Sequence, residues 1–303
     1  MTPGARFRIR LMLYLLLGLA LIAPALGDAS RAPRQMMLRS TGTYTGPGNI
    51  NSYASIFLSV RAYTAAQRGN ALMNVCDSTG GTDVACADMF SDVTSGALVP
   101  LTIGGINCPA NANCTVKTWY DQANNRHVTQ ATVASRPKFT TSFVSGGKVC
   151  VSFNGSQNLA FASLYSGATA GTGTFVANRT GNTTVINGVL YSNGLAPLFG
   201  FGNAVNTLGM YMGSTVTAAG NDNTGHAVQV RFNSASSFFY RDGVQSANLN
   251  PGTTPGSGTT QVGGGGASPF PLIGSICEVG FSGADLTANN TAINSNQHAY
   301  YNF

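Results

Sequence analysis

Along most of the chain the apolar residues come in short runs separated by turns rich in Gly, Asn and Ser, a strand rhythm rather than a helical stripe. The runs at 149–153, 173–177, 196–201, 208–212, 227–232, 237–240, 244–247 and 273–281 predict strands, and 115–120 alternates in the same way. Asp242-Gly243 stands between two of them, a two-residue hairpin signal. The segment 250–266, rich in Gly, Pro, Ser and Thr, reads as a long loop. Two stretches depart from this rhythm. Over 52–67, Tyr53, Ile56, Phe57, Val60 and Tyr63 fall on one helical face with Gly69 beyond the end, which predicts a short N-terminal helix. Over 284–301 a C-terminal helix is predicted, opened by Asp285 as its N-cap. The sum is an all-β chain, an antiparallel β-sandwich flanked by two helices, read as one domain over 51–303.

Composition supports that reading, because only 9% of the residues are charged while 38 are glycine. The front of the chain is different. Arg6, Arg8 and Arg10 precede an apolar run over 11–25, and Ala25-Leu26-Gly27 offers the small residues of a cleavage site. A signal peptide is therefore expected over 1–27, with an uncleaved anchor as the alternative, and 28–50 reads as a flexible lead-in. Cleavage removes those three arginines and lowers the formal charge from +6 to about +3. So mild an excess, with no basic block, gives no nucleic-acid face. The expected product is secreted or periplasmic/extracellular, with no membrane span after cleavage.

Six cysteines in an exported chain predict bridges. Cys76 with Cys86 and Cys108 with Cys114 form local loops; Cys150 and Cys277, each within a strand-like run, either bridge neighbouring strands or stay as buried thiols. No C-x2-C pair occurs, and His127, His226 and His298 are far apart in sequence, so no zinc site and no cofactor is expected. Calcium on loop carboxylates and backbone oxygens stays open.

The densest chemistry sits after the second cysteine loop, where Trp119, Tyr120, Asp121 and Gln122 end a strand. A ring for stacking beside hydrogen-bonding groups is what a sugar site needs; the other reading is a buried Trp-Tyr pair whose Asp and Gln satisfy backbone groups. No G-x-S-x-G elbow, P-loop or dinucleotide fingerprint is present. Glycoside hydrolysis normally uses two carboxylates. The chain has one glutamate, Glu278, inside an apolar run, and Asp242 and Asp285 are explained by their turn and helix start. The candidate carboxylates are Glu278 and Asp121, with Asp222 as a substitute.

Three segments, C-D-S-T-G-G-T-D-V-A-C from Cys76, C-T-V-K-T-W-Y-D-Q-A-N-N-R-H-V-T-Q-A-T from Cys114 and I-C-E-V-G-F-S-G-A-D-L-T-A-N-N from Ile276, together resemble the catalytic domain of α-L-arabinofuranosidase B, glycoside hydrolase family 54. The resemblance implies a concanavalin A-like sandwich (jelly roll), the bridges Cys76–Cys86 and Cys108–Cys114, and action on arabinose side chains of plant polysaccharide. It also implies a Glu nucleophile, an Asp acid/base and an adjacent cysteine pair at the sugar. Here the chain departs. Ser192-Asn193-Gly194 stands where the family has Glu-Asn-Gly, 263–267 carries no acid, and no Cys-Cys pair occurs. The expected function is engagement of arabinose-containing or similar neutral polysaccharide, through Trp119, Tyr120 and Asn193 if it only binds. The alternative is a non-catalytic surface or adhesion sandwich, with a structural envelope role as a third reading.

Overall fold

The computed structural model describes residues 44–302, apart from 141–147, 163–168, 182–183, 193–197, 221–223, 256–257 and 265–269. Asn193, Asp222 and the expected signal peptide lie outside the described residues. Every strand ladder is antiparallel, and 18 strands join into one hydrogen-bonded sheet that folds over to make two layers.

One layer is centred on Ile273–Ser282. Along one edge this strand pairs with Gly171–Gly181, which pairs onward with His226–Phe232 and then Phe238–Arg241. Along its other edge it pairs with Ile56–Ser59 and, nearer its start, Cys150–Asn154. The second layer runs from Thr215–Ala219 through Thr207–Tyr211, Leu198–Phe201, Asn187–Ser192, Thr260–Val262, Leu159–Phe161 and Val128–Thr129 to Cys114–Trp119. Cys114–Trp119 continues to Ala71–Asp77 and Ala85–Phe90.

Aromatic rings fill the space between the layers. Phe199 of the second layer packs on Phe175, Phe232 and Phe281 of the first, with ring centres 6.0, 6.0 and 6.4 Å away. Gly173 permits this approach, since a Cβ there would lie 2.8 Å from the Phe199 ring. The central strand is buried on both faces because the terminal helix, Asn290–Tyr301, covers the outer side of its layer. That explains why 273–281 reads as a continuous apolar run.

The three bridges are Cys76–Cys86, directly opposite each other in register, Cys108–Cys114, and Cys150–Cys277, which ties two neighbouring strands with Cα atoms 4.5 Å apart. The last resolves the open alternative: neither cysteine is a free thiol. The Asp242-Gly243 hairpin forms as expected, with both residues at positive φ, +48° and +88°.

Three expectations need correction. No helix forms over 52–67. Ile56–Ser59 is a strand with every residue buried, followed only by a 3-10 turn at Ala65–Gln67. A strand covered on both faces loses its alternation, and an unbroken apolar run then imitates a helical stripe. The glycine-rich loop at 250–266 is interrupted by the strand Thr260–Val262, held between two neighbours. The terminal helix starts later than predicted: a 3-10 turn, Thr287–Asn289, precedes it, and Asp285 accepts from the Thr287 N–H at 3.1 Å instead of capping the helix. The last described part of the expected lead-in is built into the fold, with Tyr44 donating from its hydroxyl to the Ala62 carbonyl at 2.5 Å.

Glu278 sits on the central strand, fully buried, with its carboxylate 2.8 Å from Arg61 Nε. Removing one member of a buried pair strands the other charge. Glu278→Gln is expected to lower unfolding free energy by roughly 3 kcal/mol or more, read as a shifted urea midpoint at unchanged m-value. A shift below about 1 kcal/mol would place the pair outside the structural core.

Candidate functional site

The loop that follows Cys114–Trp119 is organised by Asp121. Its Oδ1 accepts from the backbone N–H groups of Phe57 (2.8 Å) and Ala123 (2.9 Å), and its Oδ2 from those of Asn124 (3.1 Å) and Arg126 (2.9 Å). Gln122 reaches back in the same way, accepting from Tyr63 N–H at 2.8 Å and donating to the Arg61 carbonyl at 3.0 Å. These bonds pin the loop to the first strand and leave Tyr120 and His127 side by side, ring centres 4.9 Å apart and edge to face. His127 Nδ1 accepts from the Asp121 N–H at 3.1 Å, so the neutral ring carries its proton on Nε2.

Tyr120 and His127 form part of the wall of a concavity of about 280 Å³, completed by Gln67, Asn70, Ala71, Asp121, Gln122 and Asn125. Asn70 and Asn125 are exposed there, Asn125 at a turn tip with φ +58°. The Tyr120 hydroxyl donates to Asp88 at 2.7 Å, and burial together with that carboxylate pushes its pKa up to about 12. Tyr120 therefore stays protonated and presents a ring edge rather than an acid. The site offers amides, an imidazole N–H and aromatic edges, the groups that hold hydroxyl-rich ligands.

The structure separates the other expected site residues. Trp119 is fully buried and donates from Nε1 to the Ser59 carbonyl at 3.1 Å, so no face of its ring is open for stacking. Glu278 is sealed under the terminal helix. Its Oε2 accepts from Arg61, and from the hydroxyls of Tyr301 (3.3 Å) and Ser59 (3.4 Å); its Oε1 accepts from Gln297 Nε2 at 2.8 Å. It is not one of the residues lining the Tyr120 concavity, whereas Asp121 is.

Ser192, at the position the resemblance gives to the nucleophile, is buried with an unpartnered Oγ. Beside it Tyr191, Gln261, Asn158 and Gln130 form a ladder across neighbouring strands. Asn158 Nδ2 donates to Gln261 Oε1 at 2.9 Å, Gln130 Nε2 donates to Asn158 Oδ1 at 2.6 Å, and the Tyr191 hydroxyl donates to Gln261. The ladder escaped sequence reading because its members come from four separate strands and loops.

Ten carboxylates occur in the chain, and eight of them are described. Asp77 accepts from Thr79; Asp83 takes Arg136 and Lys117; Asp88 takes Asn74 and Tyr120; Asp92 takes Thr94 and Ser95; Asp285 takes Thr287 and Arg231. Asp121 and Glu278 are occupied as above. Asp83, Asp92, Asp242 and Asp285 are held below the usual carboxyl range. Asp83 is lowered by the Arg136 hydrogen bonds and Asp92 by the Ser95 backbone N–H. At Asp285, burial pulls upward and the Thr287 and Arg231 contacts outweigh it.

Asp242 completes the set and brings together two histidines that the sequence separates. His226 Nδ1 lies against its Oδ2 at 2.5 Å and His298 Nε2 against its Oδ1 at 3.1 Å, with Arg241 3.6 Å away. Burial would raise the Asp242 pKa, but the hydrogen bond and charge of His226 and the charge of His298 leave it lowered. Two histidines 72 positions apart in sequence thus meet on one carboxylate, in a hydrogen-bonded clamp between hairpin and helix. Among the described residues, Cys76, Asp83 and Cys86 are close enough to share an ion. Their sulfurs are bonded to each other and Asp83 is bonded to Arg136, which leaves no ligand set for a metal.

No protein-family model matches the chain, and no curated protein does. Among solved structures, an arabinofuranosidase complexed with arabinofuranosyl-α-1,2-xylobiose shares the fold at a TM-score of 0.59 and 14% identity, over 85% of this chain and 65% of that one. A family 54 α-L-arabinofuranosidase soaked with a cyclic sulfate inhibitor is similar at 0.53 and 14%, over 85% and 66%. The chain thus spans just under two thirds of the length of these structures. The scaffold is a β-sandwich of the arabinofuranosidase type, as the sequence resemblance implies. The identity is too low for the likeness to carry more than fold.

A lowered carboxyl pKa stabilises the folded state above the ordinary Asp value and is lost as pH falls through the folded one. Thermal stability should therefore fall as pH drops below about 4, and Asp242→Asn should flatten part of that fall. Identical melting profiles for the two proteins between neutral and acid pH would contradict the clamp.

Proposed function

We propose that this is a secreted, non-hydrolytic carbohydrate-binding β-sandwich that engages arabinose-containing or similar neutral polysaccharide at the Tyr120–His127 concavity. The observation that carries the reading is the state of the acids: every described carboxylate is committed to structural partners. A glycosidase of either stereochemistry needs two carboxyl groups facing one glycosidic bond, about 5–5.5 Å apart when retaining and up to about 9.5 Å when inverting. Asp121, which of the two described candidates is the one that lines a concavity, accepts four backbone N–H bonds, which occupies the lone pairs a base or nucleophile would use.

Support for a neutral glycan comes from the chemistry of the concavity and from the scaffold. Asn70, Asn125 and His127 Nε2 supply hydrogen bonds without net charge, and Tyr120 supplies an aromatic edge. One of the structures sharing the fold holds arabinofuranosyl-α-1,2-xylobiose. Export is supported by three disulfides. Among the described residues no helix is long and apolar enough to cross a membrane.

Two assays on the full chain test the reading together. Migration in native gels containing arabinan or arabinoxylan should be retarded, and Tyr120→Ala should weaken retention about tenfold, the loss of about 1.4 kcal/mol of contact. An aryl arabinofuranoside should release no arabinose. Sugar release that disappears in Asp222→Asn or Glu278→Gln would replace this reading with a hydrolase. Absence of retention across neutral glycans would refute binding.

A further inference from the structure

We propose a second glycan site, where the strand Phe238–Arg241 meets the start of the terminal helix, that takes adjacent hydroxyls of a neutral sugar. It rests on the function proposed above only in taking the ligand to be carbohydrate. The concavity there has a volume of about 490 Å³ and shares no lining residue with the Tyr120 concavity.

Two side chains lining it carry buried polar atoms without a hydrogen-bond partner, Arg231 Nε and Asn290 Oδ1. Asn290 is only 6% exposed, and an unpaired acceptor so deeply placed is costly to leave unmade. Arg231 cannot swing away to find another partner. Its Nη2 is held by Asp285 at 3.0 Å, and its guanidinium lies 5.7 Å from the centre of the Phe238 ring. One unpaired donor and one unpaired acceptor, both buried, therefore belong to side chains that line a single concavity, and a small rotation of either side chain brings them to a ligand.

That pairing selects the ligand. A hydroxyl both donates and accepts, so neighbouring sugar hydroxyls satisfy Arg231 Nε–H and Asn290 Oδ1 together. A carboxylate or phosphate offers acceptors alone. It would leave Asn290 Oδ1 unpaired and set a second negative charge beside Asp285. The remaining wall suits a sugar as well. Tyr240 adds ring surface, its hydroxyl 3.2 Å from Thr291 Oγ1, and Gln245 and Asn248 place exposed amides at the rim. With two separate sites one chain would hold a polymer at two points, which raises avidity without any stronger single contact.

Residue-resolved amide NMR of the full chain separates the two sites. Titration with α-1,5-linked arabinotriose or with mannotriose should shift amides at 231, 238–248 and 287–291. Asn290→Leu should weaken that response about tenfold while leaving shifts at 67–71 and 120–127 intact. Asn248→Ala, at the exposed rim, gives the same reading if the buried substitution prevents folding. No shift in 231–291 with either neutral trisaccharide, or tighter binding of galacturonate than of both, would overturn the second site. Silence confined to 67–71 and 120–127 would count against the first site alone.

Discussion

The buried pair of Arg61 and Glu278 is the constraint on which the first layer depends. Each member is almost wholly removed from water, and two such charges are tolerable only when paired; Arg61 Nε meets Glu278 at 2.8 Å and the guanidinium lies over the Tyr300 ring. Glu278 lies on the central strand, Arg61 just beyond the strand Ile56–Ser59, and the lid over both is the terminal helix through Gln297, Tyr300 and Tyr301. Burial alone would lower the Arg61 pKa; the charge and hydrogen bond of Glu278 together with Tyr301 and Tyr44 outweigh it and raise it. First strand, central strand and last helix are thus needed at once. A chain that orders one without the others leaves a bare charge in the core.

That requirement bears directly on chemistry. The only glutamate of the chain is used to lock three elements together, so it is withheld from any surface cleft. The described aspartates are spent similarly. Asp121 nails a loop, Asp83 binds Arg136 across the disulfide hairpin, and Asp242 clamps His226 and His298. What remains open to solvent in the two concavities is mostly neutral: amides, hydroxyls and ring edges. Such a surface suits the hydroxyl-bearing ligands proposed above, through hydrogen bonds and ring contacts.

Local signals were legible in the sequence, and tertiary ones were not. The Asp242-Gly243 turn, the two short cysteine loops and the strand at 273–281 depend on neighbours in the chain, and they stand where the pattern put them. Tyr53 to Tyr63 misled because two-sided burial erases the alternation that marks a strand. Trp119 looked like a stacking ring because nothing local reveals that Ile56–Ser59 will cover it. The Asp242 clamp and the Gln130–Asn158–Gln261 ladder join residues more than a hundred positions apart or from different strands. The unpaired atoms of Arg231 and Asn290 are equally invisible until helix and sheet are set against each other.

The most direct test of this account replaces the ion pair itself. Arg61→Met with Glu278→Leu removes both charges, and the groups around them keep other partners: Gln297 Nε2 still donates to Thr174 Oγ1 at 3.0 Å and Tyr301 to the Cys277 carbonyl at 3.4 Å. Retention of the double variant on arabinan gels, alongside its melting curve, gives the answer. The account predicts a folded protein that is retained as strongly as the parent, because the pair serves architecture alone. A folded double variant that no longer engages the glycan would contradict it and return Glu278 to the functional site.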